Sequence, residues 1–188
     1  MVELGRYRIQ GKLGEGAMAE LFRATDPEIG RTVAIKVLKQ EYARDEQLGA
    51  RFLREARAAG ALSHANIATI YDVGQVEDVS YIAMELVEGR PLDEVLHAQG
   101  RLPYARVLHL ARQLADALAY AHGAGVIHRD IKPSNILISS DGMTAKLVDF
   151  GVARVGEADG TALVKTQAGQ LVGTPRYMSP EQALGLPV

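Results

Sequence analysis

A single change of hydrophobic period divides this chain. Up to Leu86 most apolar residues alternate as strands require, and from Leu92 onward helical spacing dominates. Tyr7 to Leu13 and Glu20 to Thr25 flank a glycine-bearing turn, and Thr32 to Leu38 alternates with period two. Ile67 to Val73 and Val79 to Leu86 make two further strands joined through Gly74 to Asp78. One helical segment, Asp45 to Leu62, interrupts them. Later, Tyr104 to His122 places Val107, Ala111, Leu114, Leu118 and Ala121 on one stripe fit to face a core. Ile136 to Ile138 and Ala145 to Val148 should form a hairpin across Ser140-Asp141-Gly142, since Asp-Gly is a strong turn signal. Strands first and helices later define an α+β chain whose boundary falls in Glu85 to Gly89. The expected units are residues 1–85 and 86–188, with a ligand cleft between them.

Composition narrows the classes of partner. A chain of 188 residues can form one good core or two small lobes. Its net charge of -2 gives no reason to expect nucleic acid or an anionic membrane. It has no cysteine, which leaves no disulfide or thiolate metal site and suits a reducing cytoplasm. No apolar run approaches the roughly 18 residues of a membrane span, and no signal-peptide core opens the sequence.

The chemistry concentrates in two short runs. His128-Arg129-Asp130-Ile131-Lys132-Pro133-Ser134-Asn135 is followed by Asp149-Phe150-Gly151. Phosphoryl transfer needs one carboxylate to accept a hydroxyl proton, and an Asn and a second Asp to hold divalent metal. Either run alone is a weak signal. Together, in this order and spacing, they point to a protein kinase.

Gly14-Glu15-Gly16-Ala17-Met18-Ala19-Glu20-Leu21 is a glycine loop between strands, where backbone N–H groups can approach phosphates. A Rossmann turn would have to open a helix, whereas Leu21-Phe22 reads as strand. Ala19 stands where a third glycine would complete the pattern. Alanine tolerates positive φ poorly, so a stiffer loop is expected. In Val33-Ala34-Ile35-Lys36, alternation puts Ala34, Lys36 and Leu38 on one face, suited to adenine and phosphates. The helix stripe Leu48, Phe52, Glu55, Ala59 and Leu62 places Glu55 within an apolar face. A lone carboxylate is costly there, and Lys36 is its expected partner.

Glycine loop, Val-Ala-Ile-Lys, helix Glu, His-Arg-Asp with Asn, Asp-Phe-Gly and Ser179-Pro180-Glu181 follow the order of the protein kinase family, which the chain resembles over nearly its whole length. Lys132 and Gly173-Thr174-Pro175-Arg176-Tyr177 look like the serine/threonine subclass. Leu62-Ser63-His64-Ala65-Asn66-Ile67 and Tyr177-Met178-Ser179-Pro180-Glu181-Gln182 resemble its bacterial, eukaryotic-like (Hanks-type) branch. The resemblance implies a bilobal fold: a β-rich N-lobe with one main helix and an α-rich C-lobe. It implies ATP with Mg²⁺, or Mn²⁺ in its place, and protein substrates bearing Ser or Thr, with a homodimer as a candidate assembly.

Its roles carry over residue by residue. Asp130 would be the base, with Lys132 beside the transferred phosphate and Lys36 on the α and β phosphates. Asn135 and Asp149 would bind metal. Leu13, Gly14, Glu15, Gly16, Ala17, Met18 and Ala19 would cover the nucleotide. Leu21, Ala34 and Leu137 would sandwich adenine, and backbone groups of Glu85 and Val87 would bond its edge beside the gatekeeper Met84. Ala59, Ile70, His128 and Phe150 would stack as a spine, loosened by the small Ala59. Arg129 would await a phosphorylated loop, with Thr166 the first candidate and Thr161 a weaker one.

In the family, further helices follow the Ser-Pro-Glu motif and complete the C-lobe, including the arginine partner of Glu181. This chain runs seven residues past Glu181, to Val188, so an incomplete C-lobe is expected. Exposed apolar surface, self-association and weak activity are expected with it. The competing reading is a non-catalytic module that binds nucleotide or a partner protein, although Lys36, Asp130 and Asp149 are all retained.

Overall fold

The structure, a computed structural model, describes residues 3–150, 175–184 and 186. Thr161, Thr166, Gly173 and Thr174 lie outside the described residues. In chain order come β1 (Glu3–Leu4), β2 (Tyr7–Glu15), β3 (Ala19–Asp26), β4 (Arg31–Leu38), α1 (Gln40–Ala43), α2 (Glu46–Gly60), β5 (Ile70–Val76) and β6 (Val79–Glu85). Then follow β7 (Gly89–Pro91), α3 (Leu92–Gln99), α4 (Tyr104–Gly123), β8 (Ile136–Ser139), β9 (Ala145–Leu147) and α5 (Pro180–Ala183). The first six strands form an antiparallel sheet of order β1-β2-β3-β4-β6-β5; the last three form a separate sheet, β7-β8-β9.

Alternation along β4 sorts the large sheet into two faces. Val33 and Ile35 pack with Tyr7, Ala24, Tyr81 and Ala83 on one side. Ala34 and Leu38 pack with Phe52, Leu53, Ala56, Ile82 and Met84 on the other, where α2 covers the sheet. Asp45 starts α2 by accepting hydrogen bonds from the backbone of Gln47 and Leu48 at 2.9 and 3.2 Å. The face that α2 buries is Phe52, Leu53, Ala56 and Ala59, so it is rotated from the sequence expectation. Glu55 lies beside this face and is half-buried, not central to it.

The expected strand Ile67 to Val73 begins instead at Ile70. The backbone before it is already engaged elsewhere: Ala68 N donates to Leu147 O at 2.9 Å and Leu147 N to Asn66 O at 2.8 Å, with Ile67 bridged parallel to Leu147. This junction ties the loop after α2 to β9. Around it one cluster joins Ala59, Leu62 and Ile67 to Val95, Leu110, Ala117, Ile138, Leu147 and Phe150.

Helix α4 is also turned from its expected stripe. Leu110, Ala117 and Ala121 are buried, with Leu114 and Leu118 packed against the cluster, while Val107 is 44% exposed and Ala111 exposed. Polar anchors account for the rotation. Arg106 Nε donates to Gly142 O at 3.0 Å, and Gln113 Nε2 donates to Met143 O at 2.8 Å. Gln113 Oε1 accepts from Asn66 Nδ2 at 2.8 Å and Ala145 N at 2.9 Å. The hairpin turn matches its Asp-Gly signal: Gly142 has φ +73° and its N–H donates to Ser139 O at 2.8 Å. Strand β7 has no side-chain pattern of its own. Gly89 permits it, because a Cβ there would lie 2.5 Å from Ile138 O.

Candidate active site

The loop from His128 to Asn135 is held by hydrogen bonds that converge on its own side chains. His128 is 1% exposed, and its ring lies 4.5 Å from that of Phe150. Asp130 N donates to its Nδ1 at 3.3 Å, which assigns the proton to Nε2, 2.9 Å from Val148 O. Burial pushes the imidazole pKa down, opposed by the Val148 carbonyl and by Asp130 and Asp149. The ring is therefore a neutral bracket between this loop and the segment leading to Asp149.

Asn135 Nδ2 donates to both the backbone O and Oδ2 of Asp130, each at 2.8 Å. Lys132 Nζ lies 2.8 Å from the same Oδ2. Val148 N donates to Asn135 O at 3.0 Å, which carries Asp149 toward the loop. Two non-glycine residues here take left-handed backbone: Arg129 at φ +61° and Asp149 at φ +64°. Such conformations are costly for side-chained residues and concentrate at functional sites.

Lys36 sits mid-sheet, opposite Leu21 on β3 and Ile82 on β6. Its Nζ pairs with Asp149 Oδ1 at 2.8 Å, and its side chain is 16% exposed. This corrects the expected Lys36–Glu55 pair: Glu55 lies at the edge of the buried face of α2, and the ammonium is taken by the carboxylate following Val148. Burial alone would raise the Asp149 pKa. The Lys36 ammonium, with a smaller contribution from Lys132, holds it below the ordinary carboxylate value.

Strand pairing places Leu21, Ala34, Lys36 and Met84 on the α2 side of the sheet. Across the opening, Ile136 and Ile138 point into the lower cluster, and the half-buried Leu137 alternates away from it. Val87 follows β6 and is half-buried. Leu13, Gly14 and Glu15 end β2, and Gly16, Ala17 and Met18 make the turn, closed by a 2.8 Å bond from Gly16 N to Ala19 O. Neither Gly14 nor Gly16 needs positive φ, and Ala19 is a buried strand residue opposite Leu38. The expected strain from replacing a third glycine does not arise.

Ala59, Ile70, His128 and Phe150 do come together, and the small Ala59 borders a cavity of about 20 Å³ with Ile67, Ile82, Met84 and Asp149. Arg129 is exposed. Glu181 is also exposed, in the first turn of α5, where its pKa lies below the ordinary value, chiefly through a backbone hydrogen bond.

Four residues escaped the sequence. Lys146 on β9 grips Glu85, with Nζ 2.5 and 2.7 Å from its two carboxylate oxygens, and Thr69 N adds a 3.2 Å bond to Oε2. Nothing in the spacing couples residue 146 to residue 85. Lys39 lies 2.6 Å from Glu15, which Lys12 approaches at 2.7 Å. Hydrogen bonds from Lys12 and then Lys39 hold the Glu15 carboxyl at about 2. Gln182 appeared in the sequence only as the end of the run Tyr177 to Gln182, with no role of its own.

A curled antiparallel sheet with one packed helix, above a short hairpin that carries Asp149 beside an Asp130–Asn135 loop, is the architecture of a two-lobed kinase scaffold. The protein kinase domain family matches residues 7–185, and the chain belongs to that family. It is 42% identical over 186 residues to serine/threonine-protein kinase PknA of Mycobacterium tuberculosis, covering 96% of this chain and 42% of that protein. It is 44% identical to serine/threonine-protein kinase pkn3 of Myxococcus xanthus (96% and 34%), and 43% identical to a probable serine/threonine-protein kinase of Streptomyces coelicolor (96% and 27%). The chain thus spans less than half the length of these curated relatives. The crystal structure of the PknI kinase domain of M. tuberculosis superposes with a TM-score of 0.77 at 30% identity, covering 100% of this chain and 68% of that one. Protein kinases as a family use ATP, a divalent metal and protein substrates. Among the described residues no helix is long and apolar enough to cross a membrane.

Proposed function

We propose that this chain forms the nucleotide site and catalytic loop of a serine/threonine protein kinase, transferring the γ-phosphoryl group of ATP to a protein hydroxyl. One observation carries the reading. Within a single hydrogen-bonded loop, Lys132 and Asn135 both fix Oδ2 of Asp130, while Lys36 and Lys132 both act electrostatically on Asp149.

With Oδ2 so engaged, Oδ1 of Asp130 is the oxygen left to accept the substrate hydroxyl proton. The hydroxyl oxygen then bonds to the γ-phosphorus as the bond to the β-phosphate oxygen breaks, and ADP leaves. Lys132 offsets charge on the group in flight, and Lys36 orients the α and β phosphates. Leu21, Ala34 and Leu137 flank adenine, whose edge meets the backbone of Glu85 and Val87. Asn135 and Asp149 offer oxygen donors of the kind Mg²⁺ or Mn²⁺ prefers, carried on backbone joined by the Val148 N to Asn135 O bond, so their chemistry fits such an ion. When bound, the metal would neutralise phosphate charge. The cysteine-free composition suits action in the cytoplasm.

Calorimetry with ATP, with and without Mg²⁺, followed by transfer of labelled γ-phosphate to a Ser/Thr-containing protein, tests the proposal. Metal-dependent binding and transfer are expected. Absence of nucleotide binding would overturn it.

A further inference from the structure

Segment 175–184 touches the catalytic loop at a point that the proposed mechanism does not use. Helix α5 opens with a capping box: Ser179 Oγ accepts from Gln182 N at 3.2 Å, and Gln182 Oε1 accepts from Ser179 N at 2.9 Å. The acceptor end of the Gln182 amide is thereby committed to its own helix. This fixes which way the amide points, and its donor end, Nε2, reaches the backbone O of Arg129 at 2.7 Å. Arg129 is the residue held at φ +61°, immediately before Asp130.

Left-handed backbone is disfavoured for arginine, so a contact that holds the Arg129–Asp130 peptide in place stabilises an otherwise costly turn. That peptide supplies the Arg129 carbonyl to Gln182 and the Asp130 N–H to His128 Nδ1, the latter at 3.3 Å. One peptide plane is therefore gripped on both edges, from α5 and from the buried imidazole. Its orientation sets where the Asp130 carboxylate points.

Building on the kinase reading, we infer that Gln182 is a positioning residue. Its side-chain amide locks the Arg129–Asp130 peptide and so aims Asp130 at the acceptor hydroxyl, making α5 a device that couples the segment around Ser179 to the base.

The substitutions Gln182→Glu and Gln182→Ala separate this role from simple helix capping. Glutamate serves a capping box as well as glutamine does, and a carboxylate is favoured in the first turn of a helix. It cannot donate to Arg129 O, however, and would oppose that carbonyl. If Gln182 only caps α5, Gln182→Glu should behave as wild type. If it positions Asp130, Gln182→Glu should be at least as impaired as Gln182→Ala, with kcat lower by on the order of ten-fold and the KM for ATP unchanged. Hydrogen exchange of the Asp130 amide, read on the same proteins without any substrate, should accelerate several-fold in both variants while the Ala183 amide stays protected in Gln182→Glu. Wild-type exchange at Asp130 in Gln182→Glu would overturn the inference. A wild-type chain that transfers no phosphate would count against the proposed activity, and the exchange comparison would still decide the role of Gln182.

Discussion

Asp130 derives its orientation from neighbours on both sides of the backbone: His128 and Asn135 hold its main chain, while Lys132 and Asn135 hold one carboxylate oxygen. On the proposed reading, replacing Asp130 by Asn removes the proton acceptor and leaves the nucleotide contacts intact. Asp130→Asn should therefore lower kcat by about 10²–10⁴-fold with ATP affinity nearly unchanged, as single-turnover kinetics and calorimetry would show. His128 gives a second residue-level expectation. Its folded pKa lies below the ordinary value, so the folded protein resists a proton that the unfolded chain accepts. The stabilisation is full above the ordinary imidazole pKa of about 6.5 and declines as pH falls below it, until the folded ring itself protonates. In an NMR titration, the His128 ring should reach its midpoint below the ordinary imidazole value. A midpoint at or above that value would contradict the neutral-bracket role.

Individual elements were legible where a local rule decides them. The period-2 runs became β2, β3, β4 and β6, and the Asp-Gly pair became the β8–β9 turn. Less legible was which way each helix turned. Val107 was read as core-facing from spacing alone, but Gln113 and Arg106 fix the rotation of α4 through bonds to residues some thirty positions away in sequence. Long-range polar pairs leave no periodic trace. The Lys146–Glu85 grip is such a pair, joining β9 to the end of β6 with both side chains largely sheltered. Lys146→Met should cost roughly 1–3 kcal/mol, because it strips a partly buried carboxylate of its cation. Combining it with Glu85→Gln should recover part of that loss, and denaturant unfolding of the single and double variants would measure the coupling. Strict additivity would argue against the grip. Lys12 and Glu15 at the glycine loop are more exposed, so the contribution of their pair should be small and should fade at high salt.

At the scale of the molecule, the site exists because two separately organised sheets are sutured where Asn66 to Ala68 meets Ala145 to Leu147. The suture sets the position of Asp149 relative to Lys36 and of the Asp130 loop relative to both. The sequence announced which residues would gather there, since HRD, DFG and Val-Ala-Ile-Lys are motifs with fixed chemistry. It did not announce their pairing: the apolar stripe pointed Lys36 to Glu55, and the structure pairs it with Asp149. That pair makes the central claim directly measurable. If Lys36, Asn135 and Asp149 form a metal–nucleotide site, ATP should bind more tightly with Mg²⁺ than without it, and Asp149→Asn should abolish most of the difference. Calorimetric titration of ATP into the wild-type chain and into Asp149→Asn, each with Mg²⁺ and with chelator, is the measurement. Metal-dependent affinity in the wild type that collapses in the variant is the predicted result. ATP affinity indifferent to Mg²⁺ in the wild type, or equal metal dependence in both proteins, would contradict the account.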